Sequence, residues 1–273
     1  MKKTRQLIYF KCKYYNLGIL LAVWLVSSIF SSCKKSSEVP GVASLNIFNG
    51  IVGTDTLVTN FSGTNVIQWY KTANLIIYGK VGMANYTIPT ENYRFNSYSG
   101  LQHIAFFNYP DTLAHNSPPI NLQLNLPVNS INSLFFSGTL SAPDTLFVRD
   151  EVPYHAQSDS VTSIRVVNLV SGLTANINIQ GNPPASEVAD LKYKGISAFK
   201  NYPVNSSGYE YVFEIQDAVM NNLIASVTVD TRDIFDGVQT LNYYRFRSFT
   251  IIIYGELGNT AEGSPSAVIM ANY

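Results

Sequence analysis

The chain has 273 residues, 46% of them hydrophobic and 13% aromatic, with 18 basic and 18 acidic side chains in formal balance. That length suffices for one large or two ordinary domains and that composition for an ordinary hydrophobic core. Only 13% of the residues are charged, below the usual quarter, and Asn, Ser, Thr and Tyr make up the difference, which suits an extracytoplasmic β protein better than a nucleic-acid binder or a cytosolic enzyme.

The start carries Lys2, Lys3, Arg5, Lys11 and Lys13 with no acid, and an apolar run from Leu17 to Phe30 follows. Phe30-Ser31-Ser32-Cys33 then closes the segment with small residues before a cysteine, in the manner of a lipobox. The run is short for a membrane span and suits the apolar region of a signal peptide, an uncleaved anchor being the alternative. The expectation is therefore a lipoprotein signal over 1–32, lipidation at Cys33, and a membrane partner reached through the acyl anchor. The leader holds five of the 18 basic residues and no acid, so the 241 residues from Cys33 onward have a net charge of −5, which attracts neither nucleic acid nor an anionic lipid surface. Cys12 lies in the leader, so no disulfide can form in the mature chain.

Residues 33–41 read as a polar tether. Beyond it, short runs rich in Val, Ile, Phe, Tyr and Thr recur between Gly, Pro, Asn and Asp. In chain order they are Ser44 to Phe48, Ala73 to Tyr78, Asn121 to Leu126, Ser133 to Ser137, Thr145 to Val148, Ser163 to Asn168, Ala175 to Gln180, Tyr209 to Gln216, Leu223 to Val229, Arg247 to Tyr254 and Ala267 to Met270. All are expected strands. Alternation in Leu122-Gln123-Leu124-Asn125-Leu126 and Ile177-Asn178-Ile179 puts the apolar residues on one face of an antiparallel sheet. Only Ala185 to Lys192, after Pro183 and Pro184, offers a helical turn.

The two halves also match each other. Ser44-Leu45-Asn46-Ile47-Phe48-Asn49-Gly50 aligns with Ser163-Ile164-Arg165-Val166-Val167-Asn168-Leu169. Leu122 to Leu126 then aligns with Ala225 to Val229, and Ser133 to Gly138 with Thr250 to Gly255, in the same order. The sequence thus predicts an all-β chain of two tandem antiparallel β-sandwich domains, 42–152 and 161–273, joined by a linker over 153–160.

Ser163 to Leu169, Tyr193-Lys194-Gly195-Ile196-Ser197, the strand Tyr209 to Gln216 and Phe249 to Gly255 together resemble the DUF4397 domain of extracytoplasmic bacterial proteins, here in a lipoprotein of Bacteroidota type. Leu169-Val170-Ser171-Gly172-Leu173 stands where that family has Ser-Pro-Asp-Ala-Pro. The resemblance covers 161–273, with 42–152 a more distant relative. It implies an immunoglobulin-like or transthyretin-like sandwich and a non-catalytic surface role, and it brings no catalytic motif.

Chemistry-bearing motifs are sparse. His103, His115 and His155 are isolated, and Asp230, Asp233 and Asp236 lack the alternating spacing of a calcium loop, so neither a metal nor a cofactor is expected. Gly79 and Gly82, like Gly255 and Gly258, read as turn residues. Trp69, Tyr70, Tyr243 and Tyr244 are candidate stacking platforms for sugar rings, although aromatic residues also fill β cores. Four Asp-Thr/Ser-apolar triplets place Thr56, Thr112, Thr145 and Ser160 as candidate O-glycosylation acceptors, or equally as turn-to-strand junctions. The functional expectation is a lipid-anchored, non-catalytic interaction or structural module of the outer membrane with an unknown protein or glycan partner. A glycan-binding lipoprotein is the first alternative and a hydrolase with two convergent acids the second.

Overall fold

The computed structural model describes residues 41–60, 75–81, 93–109, 117–156, 158–204, 210–231, 234–235, 238–239 and 242–272. The leader, Cys33 and the tether before Gly41 lie outside them. The strands of the first half are β1 (Val42–Asn49), β2 (Thr56–Asn60), β3 (Leu75–Ile77), β4 (Arg94–Tyr98), β5 (Gly100–Asn108), β6 (Ile120–Leu126), β7 (Ile131–Thr139) and β8 (Ala142–Arg149). Those of the second are β9 (Val161–Asn168), β10 (Ala175–Ile179), β11 (Val188–Leu191), β12 (Lys200–Pro203), β13 (Glu210–Asp217), β14 (Leu223–Asp230), a hairpin of β15 (Ile234–Phe235) and β16 (Val238–Gln239), β17 (Ser248–Tyr254) and β18 (Ser266–Ala271).

Strand order repeats between the halves. The first half forms sheets β4-β1-β7-β8 and β3-β2-β5-β6, and the second forms β12-β9-β17-β18 and β11-β10-β13-β14. Each half has a single parallel pair among its named strands, β1 with β7 and β9 with β17, in the same register: Asn46 faces Ser133 as Arg165 faces Thr250. Among the described residues, the β15–β16 hairpin has no counterpart in the first half. The fold is all-β, with four principal sheets forming two sandwich-like pairs, and the first pair ends with β8 at Arg149 while the second begins with β9 at Val161.

Burial explains which runs are continuous and which alternate. Strand β6 alternates as expected, with Leu124 and Leu126 inside and Asn121, Gln123 and Asn125 exposed, because its outer face meets water. Strands β1, β7, β9 and β17 are buried on both faces, which is why they read as nearly unbroken apolar runs. One face of β1 and β7 supplies Leu45, Ile47, Leu134 and Phe136 to the first sandwich core. The other supplies Phe48 and Phe135 to a third core shared with Val167, Leu169, Ile252 and Met270 of the second half. The halves therefore meet face to face through their inner sheets, and Gly41–Tyr273 forms one compact unit.

Polar groups are buried at this central face as well. Asp150 accepts hydrogen bonds from the Ser133 hydroxyl (2.6 Å) and the Asn272 amide (3.3 Å) and pairs with Arg165 across the halves at 2.6 Å. Asn272, at the place in its half that Asp150 holds in the first, accepts from Thr250 at 2.7 Å as Asp150 accepts from Ser133. The two equivalent residues thus touch each other across the face between the halves.

The structure corrects the helical turn expected over Ala185 to Lys192. Ala185 has φ +59° and Asp190 φ +51°, and Val188–Leu191 is an edge strand paired with β10. Eight residues nucleate a helix poorly, whereas the open edge of β10 offers them hydrogen-bond partners at once. Asn178 departs from simple alternation: its side chain is buried, and its amide donates to the Glu214 carboxylate at 2.9 Å.

Candidate functional site

Asn49 and Asn168, matched in the sequence, do the same work in the two halves. Each ends the first strand of its half with its side-chain oxygen accepting from the backbone N–H two residues on, at Ile51 (3.1 Å) or Val170 (3.0 Å). Each side-chain amide reaches the opposite sheet, at the Ile76 carbonyl (3.4 Å) or the Leu191 carbonyl (2.9 Å). Each backbone carbonyl accepts from a residue in left-handed conformation, Gly79 (φ +63°) or Lys194 (φ +60°). Tyr78 and Tyr193, one residue before, are thereby aimed alike at the other half.

What they meet differs. Tyr78 packs edge-on against Tyr254, with ring centres 5.6 Å apart, and a Cβ at Gly79 would lie 2.6 Å from the Tyr254 ring. At the place of Tyr254 the first half has Ser137, and the smaller side chain lets the Tyr193 hydroxyl reach β8. It donates to Asp144 at 2.8 Å and accepts from Ser137 at 2.8 Å. Asp144 also accepts from Lys194 Nζ (2.8 Å) and the Thr145 N–H (2.7 Å). Burial alone raises the Asp144 carboxyl, but the bonds from Lys194, Tyr193 and Thr145 outweigh it and hold it below the usual carboxylate range. Burial, reinforced by Asp144, pushes the Tyr193 phenol up.

Beside this cluster a groove of about 340 Å³ runs between the halves, lined by Gly138, Thr139, Ala142 and Asp144 on one side and Ser171, Tyr193, Gly255 and Glu256 on the other. Gly138 and Gly255 are equivalent and both have positive φ. A side chain on either would drive into the Ala142 or Ser264 carbonyl, so the strand ends stay thin and the groove open. The lining residues bring two carboxylates, of Asp144 and Glu256, and the hydroxyls of Thr139, Ser171 and Tyr193 to one groove.

The residues singled out in the sequence scatter. Trp69, Tyr70, Thr112, His115, Asp233 and Asp236, like Cys33, lie outside the described residues. Tyr244 is not a free platform, because it is 8% exposed and packs on Phe249 with ring centres 4.9 Å apart. Its neighbour Tyr243 is exposed and carries the Arg247 guanidinium 4.5 Å above its ring. Thr56 and Thr145 are half-buried, and the Ser160 hydroxyl donates to the Val204 carbonyl. His103 bonds Gln123, and His155 bonds Ser163 at 2.8 Å. Sequence reasoning missed the Tyr193–Asp144 contact and the buried Asp150–Arg165 pair, whose members stand far apart or on opposite sides of the supposed linker.

The chain matches no protein-family model, and a comparison with curated proteins finds no match. Among solved structures it is similar to one described as alpha-glucan recognition by family 41 carbohydrate-binding modules from streptococcal virulence factors, at 10% identity and TM-score 0.23, covering 83% of this chain and 96% of that one. It is also similar to the fimbrial anchor protein Mfa2 from Porphyromonas gingivalis, at 12% identity and TM-score 0.24, covering 85% and 97%. Neither similarity decides between a glycan and a protein ligand.

Proposed function

We propose that this chain is a lipid-anchored, extracytoplasmic, non-catalytic interaction module of the outer membrane, whose ligand lies in the groove between its halves. The basic, apolar and small-residue order ahead of Cys33 supports the anchor, and the resemblance of 161–273 to DUF4397 supports a surface role. The observation that carries the binding assignment is the groove itself, built from both halves where Ser137 of one stands against Tyr254 of the other in the matched strands. Its central carboxylate favours binding over proton transfer. Asp144 is held ionised by three donors, which suits a fixed acceptor and not a general acid.

A glycan is the ligand class this groove favours, since Asp144, Glu256, Thr139, Ser171 and Tyr193 offer acceptors and hydroxyls to a hydroxyl-rich ligand. A screen of purified 34–273 protein against immobilised bacterial and host glycans tests it. The expected result is a binder whose affinity falls roughly 10-fold or more in Tyr193→Phe or Glu256→Gln, the scale of one hydrogen bond to a charged or buried partner. Binding unchanged in both variants would place the ligand elsewhere.

A further inference from the structure

The strands fix two ends of the molecule. Strands β1 and β9 begin at the end where Asp150 meets Asn272, and they finish at the other, where a Cβ on Gly50 would lie 3.4 Å from the Tyr254 Cβ. The groove is at this second, distal end, where β7 runs out at Thr139. The chain comes in at the first, proximal end through Gly41, whose carbonyl accepts from the Ser99 N–H at 2.7 Å.

Around Gly41 stand four large apolar side chains that folding leaves in water: Val42 (54% exposed), Tyr98 (59%), Leu101 (61%) and Val128 (59%). They are held together by the backbone. Val42 pairs with Tyr98, the Val42 carbonyl accepts from the Asn129 N–H, and Gly100 pairs with Leu126 just ahead of Val128. The second half contributes to the same end, since the Phe246 N–H bonds Val161 as that of Asn129 bonds Val42, and Phe246 is itself exposed.

From these positions we infer that the proximal end rests on the lipid surface, with Val42, Tyr98, Leu101 and Val128 dipping into the headgroup layer. The inference rests on the anchor reading at Cys33. Seven residues lie between Cys33 and Gly41, so the eight steps from one to the other span at most about 28 Å when fully extended, and the anchored end cannot stray far from the bilayer. A single exposed apolar residue needs no explanation, but a ring of them around the anchored end does. The mature net charge of −5 makes the contact apolar, not electrostatic, and an aromatic such as Tyr98 suits the interface. The groove is then presented away from the membrane.

The test uses the acylated protein carrying Val128→Cys, with Tyr98→Cys as a second proximal probe and Leu140→Cys as the distal control. Because Cys33 is acylated, a bimane label goes to one site only. Each protein is reconstituted in phosphatidylcholine vesicles containing nitroxide lipids, and flotation and quenching are both read. Flotation with several-fold stronger quenching at 98 and 128 than at 140 is the expected result. Flotation with equal, weak quenching at all three sites overturns the lipid contact while leaving the anchor intact. Loss of flotation overturns the anchor reading itself. Shielding of 98 and 128 without lipid quenching, with a doubled mass in light scattering, shows a second copy on this face and also overturns the proposal.

Discussion

Tyr78 and Tyr193 hold equivalent places, yet Tyr193 is tied to Asp144 and Ser137 while the Tyr78 hydroxyl is buried with no hydrogen-bond partner among the described residues. Burial, aided by Tyr254 and Glu256, pushes the Tyr78 phenol up to about 12, above its ordinary value of 10.0. The fold thus favours its neutral form. That contribution is whole below the ordinary value and is lost as pH rises toward 12. Tyr78→Phe should therefore be as stable as the parent near neutrality and lose less stability than it across that alkaline window, as urea denaturation at stepped pH would read. An equal alkaline loss in both proteins would remove Tyr78 from the cause. The buried Asp150–Arg165 pair behaves differently, since removing one partner strands the other charge. Asp150→Ala should cost about 3–5 kcal/mol, whereas Asp150→Leu combined with Arg165→Met should recover much of it. Equal losses in the single and double variants would show that neutralising the pair does not relieve the stranded charge.

Among elements, the first strands of the halves carry the most information. The duplicated asparagine closes each of them against the opposite sheet, and Asn168 alone makes three bonds, to Val170, Leu173 and Leu191. Asn168→Ala leaves these backbone groups unpaired in a dry place and should cost about 3 kcal/mol, with a fall in thermal midpoint to match. A change within error would reduce the motif to a sequence coincidence. These strands were legible because burial on both faces makes them apolar throughout, and the outer β6 because it alternates. Strands β4 and β12 were not, since Arg-Phe-Asn-Ser-Tyr and Lys-Asn-Tyr-Pro are edge strands whose pairing needs no apolar run and tolerates Pro203. Strand β11 was hidden by helix-like composition after two prolines. Of the candidate site, Asp144 was visible only as part of a triplet and Tyr193 only as part of a resemblance. Their meeting depends on the packing of two inner sheets, which no local pattern encodes.

For the whole molecule, the central core changes what a division at 153–160 would do. Tyr154 is 90% exposed, so chymotrypsin should nick the chain there. Phe48, Phe135, Val167, Ile252 and Met270 should nevertheless keep the fragments together through gel filtration until denaturant is added. Fragments that part on dilution would mean that the face between the halves contributes little. The inner face makes one body of two related sandwiches, the distal end carries the groove, and the proximal end carries the chain toward Cys33. The proposed membrane contact rests on Cys33 as the anchor. Mass spectrometry of the N-terminal peptide from host-purified protein tests this most directly: a peptide beginning at Cys33 and heavier by its acyl groups is the expected result, and an unmodified Cys33, or a chain still beginning at Met1, would contradict it.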